Sequence, residues 1–469
     1  MKKLISAILM LAMALSLVAC GASGQEATEG APKVFMAGYG RADITPKDPG
    51  VNMRGFGDEA TRLSQGYISK IYVDVLALTD EEGNTALLMS YDLGGTSCHN
   101  AIHTAVSEAT GVPEVNIVTS CSHQHSGPHD PLVADYREFL VARSVEAAKM
   151  AMDNRAPATM EVATVQTEGL NWVRHYVMND GSYAGDNFGD TSSGYKEHVC
   201  EPDRSMQLVK FVREGDYKTI LLTNFQGHPH MGSMKYYNEI HADTVGEYKD
   251  MISSTLGYEA IYFSGAGGNV KMTSAIEEEN LTTDFKEHGK MLARYAAAAE
   301  GSYSPLATGT IRAMQSTYTA TIDHSLDNLV NICQQVYDHY QKNGSQKSAM
   351  KLAEGYPISS YHHATAILSK AKLGATGDIE HLGAIAVGEL AFVAAPYEMF
   401  SVTGEYIKEN SPFTMTVVCT IANGGNGYFP DDSVFEYGSY ESDTSKYIRG
   451  TAEGLADRFL EMLNEVKAG

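Results

Sequence analysis

Short runs of β-prone residues recur along the chain, broken by stretches whose apolar positions return at helical spacing. KIYVDVLALTD and TALLMSYD flank the turn EEGN, which is a hairpin pattern. A helix over about Cys98 to Thr110 is expected before the apolar strand VNIVTS. PLVADYREFLVARSVEAAKMAMDN then repeats apolar residues at Tyr136, Leu140, Ala147 and Met150, a helical period. Further strands are expected at TMEVATVQT, SMQLVKFV, TILLTNF, EAIYFSG, AIAVGELAFVAA and TMTVVCTI, with helices between several of them. This mixture predicts an α/β protein with large mixed β-sheets flanked by helices. Within about 323–372, SLDNLVNICQQVYDHYQ and YHHATAILSKAK read as a helical insertion or lid in that fold, not as a separate domain.

The N-terminus breaks the pattern. Lys2 and Lys3 precede the apolar run ISAILMLAMALSLVA, which ends at Cys20 and gives way to GASGQEATEG. That is the layout of a secretory signal. The LVAC end resembles a bacterial lipobox, which implies cleavage before Cys20 and lipidation of that residue; an ordinary signal peptide or a membrane helix is the alternative. The expected organisation is a signal peptide over 1–19, a lipid-anchored linker over 20–32 and one folded domain over 33–469, held outside the cytoplasm at the bacterial cell membrane. Lys+Arg 35 against Asp+Glu 58 leaves a net charge of −23, which repels nucleic acid and excludes it as a partner. After Cys20 come Cys98, Cys121, Cys200, Cys333 and Cys419, with no CxxC spacing. They read as buried thiols with room for one disulfide, and not as a zinc ribbon.

Chemistry gathers at strand ends. VNIVTSCS runs into His123 and His125, TILLTNFQG into His228 and His230, ELAFVAAPY into Glu398, and TMTVVCTIANGGNG into Tyr428. Open α/β sheets place their sites at such ends. Two neutral imidazoles and one carboxylate can hold Zn²⁺ while leaving it an open position for water. Each signal alone is weak, because an H-x-H loop is often only polar and a lone Glu is usually solvated.

Together, GYGRADITP, the CSHQHSGP loop, NFQGHP, APYE and the spacing of Tyr428 to Tyr440 resemble the neutral/alkaline non-lysosomal ceramidase family. The resemblance is to the catalytic N-terminal domain and spans about Val34 to Ala468; no counterpart of the family's C-terminal immunoglobulin-like domain is expected. It implies one Zn²⁺ per chain, held by His123, His228, Glu398 and Tyr428. Tyr440 would hydrogen-bond the reacting carbonyl, and His125 would bind the oxyanion or exchange a proton with the leaving group. Arg174, in LNWVRHY, falls near the family's N-R-S segment and would bind substrate oxygen. The implied activity is hydrolysis by zinc-activated water of the amide in a ceramide-like or other N-acyl substrate. A non-catalytic binding lipoprotein and a zinc esterase are the alternatives.

One loop departs from the family. FSGAGGNVKMTS stands where ceramidases carry a turn close to G-D-V-S-P-N, so Asn269 replaces the Asp and Lys271 the Ser. Asn269 becomes a candidate substrate-binding residue. Lys271 becomes a catalytic candidate that binds an anionic substrate group or stabilises the oxyanion. Asp243, in EIHADTVGEY, is expected to buttress the glycine loop or a histidine. His230 and His241 are alternative ligands, Asp92 a further supporting group, and His129 and Ser274 have no assigned part.

Overall fold

The computed structural model describes residues 34–469, so the signal peptide, Cys20 and the whole linker lie outside the described residues. Its largest element is a nine-stranded mixed sheet. Eight strands run in the order Glu259–Ser264, Ile220–Phe225, Ser205–Arg213, Ala156–Gln166, Met36–Asp43, Tyr72–Thr79, Thr85–Tyr91, Ile117–Cys121, and Ser304–Leu306 pairs with Ala156–Gln166. The two outermost pairs are parallel and the inner ones antiparallel. A second sheet orders Ile311–Thr321, Gly377–Val387, Leu390–Ala394 and Met415–Cys419, and its last pair is parallel.

The two sheets pack face to face. Leu88, Val209, Phe211 and Phe263 from the first meet Ile385, Phe392 and Val417 from the second in one buried cluster. Because side chains alternate along a strand, Leu87 and Met89 point the other way, toward the helices His99–Thr110 and Ala134–Asp153. Elsewhere on that outer face lie Asp243–Leu256 and Phe285–Ala298. Ser401–Asn410 and Thr451–Ala468 cover the outer face of the second sheet. The result is a helix/sheet/sheet/helix stack. Burial on both faces explains why TALLMSY reads as a continuous apolar run, each large apolar side chain contributing about 1.5–3 kcal/mol.

Two expectations need correction. AIAVGELAFVAA is not one strand but two, turned at Gly388–Glu389 with Val387 opposite Leu390 and Gly388 at φ 59°. Nor is there a disulfide among the described residues: all five cysteines are free, four of them buried on separate elements and Cys200 exposed. The helical insertion leaves the second sheet between Thr321 and Gly377, which are opposed at the tip of a hairpin. Its helices Val330–Asn343, Gln346–Met350 and Tyr361–Leu373 share a small core around Cys333, Val336 and Ile367. Among the described residues, no helix is long and apolar enough to cross a membrane.

Candidate metal centre and active site

The parallel strand pairs bring their carboxyl ends to one place. Ile117–Cys121 leads to His123, Ile220–Phe225 to His228, Glu259–Ser264 to the glycine loop 265–268, Leu390–Ala394 to Glu398, and Met415–Cys419 to the loop before Tyr428. Asn423 stitches the two sheets: its Oδ1 accepts the Thr119 N–H at 2.9 Å and its own N–H donates to the Thr119 carbonyl at 2.8 Å. Glu398 and Tyr428 are register partners in a short parallel pair. The glycine loop serves close packing, since a Cβ at Gly268 would lie 2.5 Å from the Glu398 carbonyl oxygen.

The histidine geometry is specific. His123 Nδ1 lies 2.9 Å from the Gly94 carbonyl oxygen, and His228 Nδ1 lies 3.0 Å from that of Val270. Each ring donates its Nδ1–H to the backbone, which leaves the Nε2 lone pair free. Both Nε2 atoms lie 3.1 Å from the same atom, Oε2 of Glu398. His123 itself sits at φ 66°, a conformation sparsely used outside glycine, at the residue whose ring must face that carboxylate. A cavity of about 10 Å³ lies among His123, His228, Glu398, Gly267 and Thr420, the size of one water or ion.

His125 joins the cluster: ligand atoms of His123, His125 and His228 lie within 4.8 Å of one another. Its ring packs edge-on against Phe56 at 5.2 Å, and its buried Nδ1 has no partner. His230 brings a fourth ring, 5.2 Å from His125 and 5.8 Å from His228. Burial, then the neighbouring rings, holds His125 well below the usual histidine range. Burial, then Lys271, does the same to His230; burial, then Arg174, takes His228 down to about 4. Burial alone would raise the Glu398 carboxyl, but His123 and His228 outweigh it and hold it well below the carboxylate range. Imidazole Nε2 atoms converging on a carboxylate are a donor set that fits zinc.

The facing wall is charged. Arg174 Nε donates to Glu441 Oε1 at 2.7 Å and its Nη2 to the Gly268 carbonyl at 2.9 Å, both partners being buried. The guanidinium also lies over the Tyr428 ring, 5.4 Å from its centroid. His175 bonds Glu441 Oε2 at 2.8 Å and the Tyr437 hydroxyl at 2.8 Å. Tyr440 stands 6.0 Å from Tyr428, ring to ring, and 5.1 Å from His362 of the helical insertion. Burial and Glu398 push the Tyr428 phenol up, and burial does the same for Tyr440, so both hydroxyls stay protonated.

The structure thus gathers His123, His125, His228, Glu398, Tyr428 and Tyr440. Arg174 is present too, but its charge is committed to Glu441. The sequence assigns Asn269 to substrate, whereas its buried side-chain oxygen accepts the Ser401 N–H at 3.0 Å and ties the glycine loop to a helix. Lys271 Nζ pairs with Asp186 at 3.0 Å. Asp243 accepts the N–H groups of Gly232 and Ser233, just beyond His230, at 2.8 and 3.2 Å. His241 bonds Ser126 at 2.9 Å; Asp92 is taken up by Lys249 at 2.6 Å; Ser274 is bound to Glu279 at 2.6 Å. His129 leads into the short turn Asp130–Leu132 with its Nδ1 unpartnered. Glu441, His175 and Asp186 were not legible as site residues. The one local signal was the acid directly after Tyr440.

A two-sheet sandwich with a histidine–carboxylate centre at its convergent strand ends defines a class that solved structures make concrete. No protein-family model matches the chain, and no curated protein does. Neutral ceramidase from Pseudomonas aeruginosa superposes with a TM-score of 0.67 at 15% identity, covering 92% of this chain and 74% of that one. A ceramidase complexed with C2 does so with a TM-score of 0.69 at 15% identity, covering 93% and 75%. The chain has the ceramidase fold.

Proposed function

We propose that this protein is a zinc-dependent amidohydrolase that cleaves an N-acylated substrate, ceramide-like or another N-acyl amide. The observation that carries the reading is the pair of imidazoles fixed by Gly94 and Val270, both facing Glu398 Oε2, on a ceramidase fold. His123, His228, Glu398 and Tyr428 would hold one ion. Bound there, zinc supplies Lewis-acid activation of water and of the acyl carbonyl.

The chain's own groups do the rest. The protonated phenols of Tyr428 and Tyr440 donate to the carbonyl oxygen as it gains charge. His125, neutral and next to the ligand pair, takes a proton from the attacking water and returns it to the departing amine. Phe56 packs against His125 on one side, and His362 of the helical insertion packs against Tyr440 on the other. Lipidation at Cys20 would hold the enzyme at the outer face of the bacterial membrane, near lipid-like substrates.

The test is a panel of ceramides, N-acyl amino acids and simple fatty amides, assayed after chelation and after zinc add-back. We expect stoichiometric zinc and add-back-dependent release of fatty acid. Full zinc binding by a His123→Ala, His228→Ala double variant would sink the site, and ester cleavage without amide cleavage would favour the esterase alternative.

A further inference from the structure

Lys271 closes the glycine loop, in register with Trp172 and bridged to His228. Its side chain is 22% exposed, and its Nζ lies 3.0 Å from Oδ2 of Asp186, whose own side chain is 37% exposed. Asp186 follows the short strand Tyr183–Gly185, in a turn that Gly185 and Phe188 close. Arg174, on the same wall, gives its charge to buried Glu441. Lys271 differs in having a solvent-facing carboxylate as its partner, and such exposed pairs hold weakly.

A second, independent feature marks the same corner. His230 is 9% exposed, and its Nδ1 is buried without a hydrogen-bond partner. Lys271 is bridged through its backbone to His228, whose ring lies 5.8 Å from that of His230. His230 in turn packs 5.2 Å from His125, the residue placed to protonate the leaving amine. Lys271 and His230 thus lie beside His125, and with His125 protonating the leaving amine a group bound between them would belong to the amine half of the substrate.

We propose that Lys271 and His230 form a subsite for a carboxylate on the amine half of the substrate, so that the preferred substrates are N-acyl amino acids. Asp186 stands in for that carboxylate in the free protein and is displaced by it. This rests on the amidohydrolase reading for its chemistry, but the charge complementarity is independent of turnover.

The experiment compares N-dodecanoylglycine with N-dodecanoylethanolamine, which differ in a carboxylate against a hydroxymethyl group, on the zinc-loaded full chain. The readout is the ratio of their kcat/KM values. Wild type should favour the glycine conjugate; Lys271→Met should lower the ratio at least 30-fold, Lys271→Arg should largely keep it, and Asp186→Asn should raise it several-fold. A Lys271→Met variant that slows both compounds equally, or an Asp186→Asn variant that lowers the ratio, would overturn the subsite. Calorimetric binding of the same two compounds to chelator-treated protein separates the two ideas. Absence of turnover on both compounds defeats the amidase reading alone, while equal affinities for both, unchanged in Lys271→Met, defeat the carboxylate subsite.

Discussion

The two walls of the site are built on different physics. On one, His123, His125, His228 and His230 are four imidazoles within two short stretches of chain, two of them fixed by backbone carbonyls. On the other, Arg174, His175 and Glu441 form a buried charged network between segments 267 residues apart. When the histidine wall loses a cation, its one carboxylate, Glu398, still faces His123 and His228 at 3.1 Å and, being 13% exposed, can take up water or a proton. A charged wall cannot lose one member, because the partner stays buried and unpaired. The first wall should therefore govern metal and rate, and the second the stability of the fold around them.

Breaking the histidine wall has the largest effect expected. The His123→Ala, His228→Ala double variant should lose zinc by elemental analysis and activity by ~10³-fold or more, while its denaturant midpoint, compared with that of metal-free wild type, falls less than that of Glu441→Gln, because Glu398, 13% exposed, can take up water or a proton. Glu441→Gln should do the converse, shifting the urea unfolding free energy by about 3–5 kcal/mol because Arg174 loses its anion. Equal destabilisation in both variants would erase the distinction between the walls. Tyr440→Phe sharpens it further: it should reduce kcat by ~10²-fold in steady-state assays with little change in KM, as for a donor used in the transition state.

The smallest effect is a control away from both walls. Burial takes His103 and His288 down to about 4. Because the unfolded imidazole takes up its proton near 6.5, the stability these residues contribute is complete above that pH and is lost as pH falls from there through about 4. Replacing His288, which bonds the Leu170 carbonyl at 2.9 Å, with Gln should remove about 2 kcal/mol of the acid-induced loss at pH 5, read from unfolding midpoints across that range.

The strands and the helical insertion were legible because each rests on local periodicity. The histidine wall was legible for a related reason: an apolar strand that stops in a His-bearing loop is visible within about ten residues. AIAVGELAFVAA misled because burial on both faces erases the alternation that would have marked two strands, leaving only Gly388 as a sign of the turn. Disulfide pairing was equally invisible, since cysteine count says nothing of whether two thiols meet.

The amino-acid sequence by itself determined which groups stand at the strand ends and that a lysine occupies the glycine loop. Only the tertiary structure decided their partners. It turned Arg174 from a free cation into half of a buried pair with Glu441, put Asn269 to work holding Ser401, and set Lys271 against Asp186. The physical reason is range. Periodicity and strand endings are written by neighbours in the chain, whereas the pairing of a charge depends on which distant carboxylate the packed sheets bring within hydrogen-bond distance.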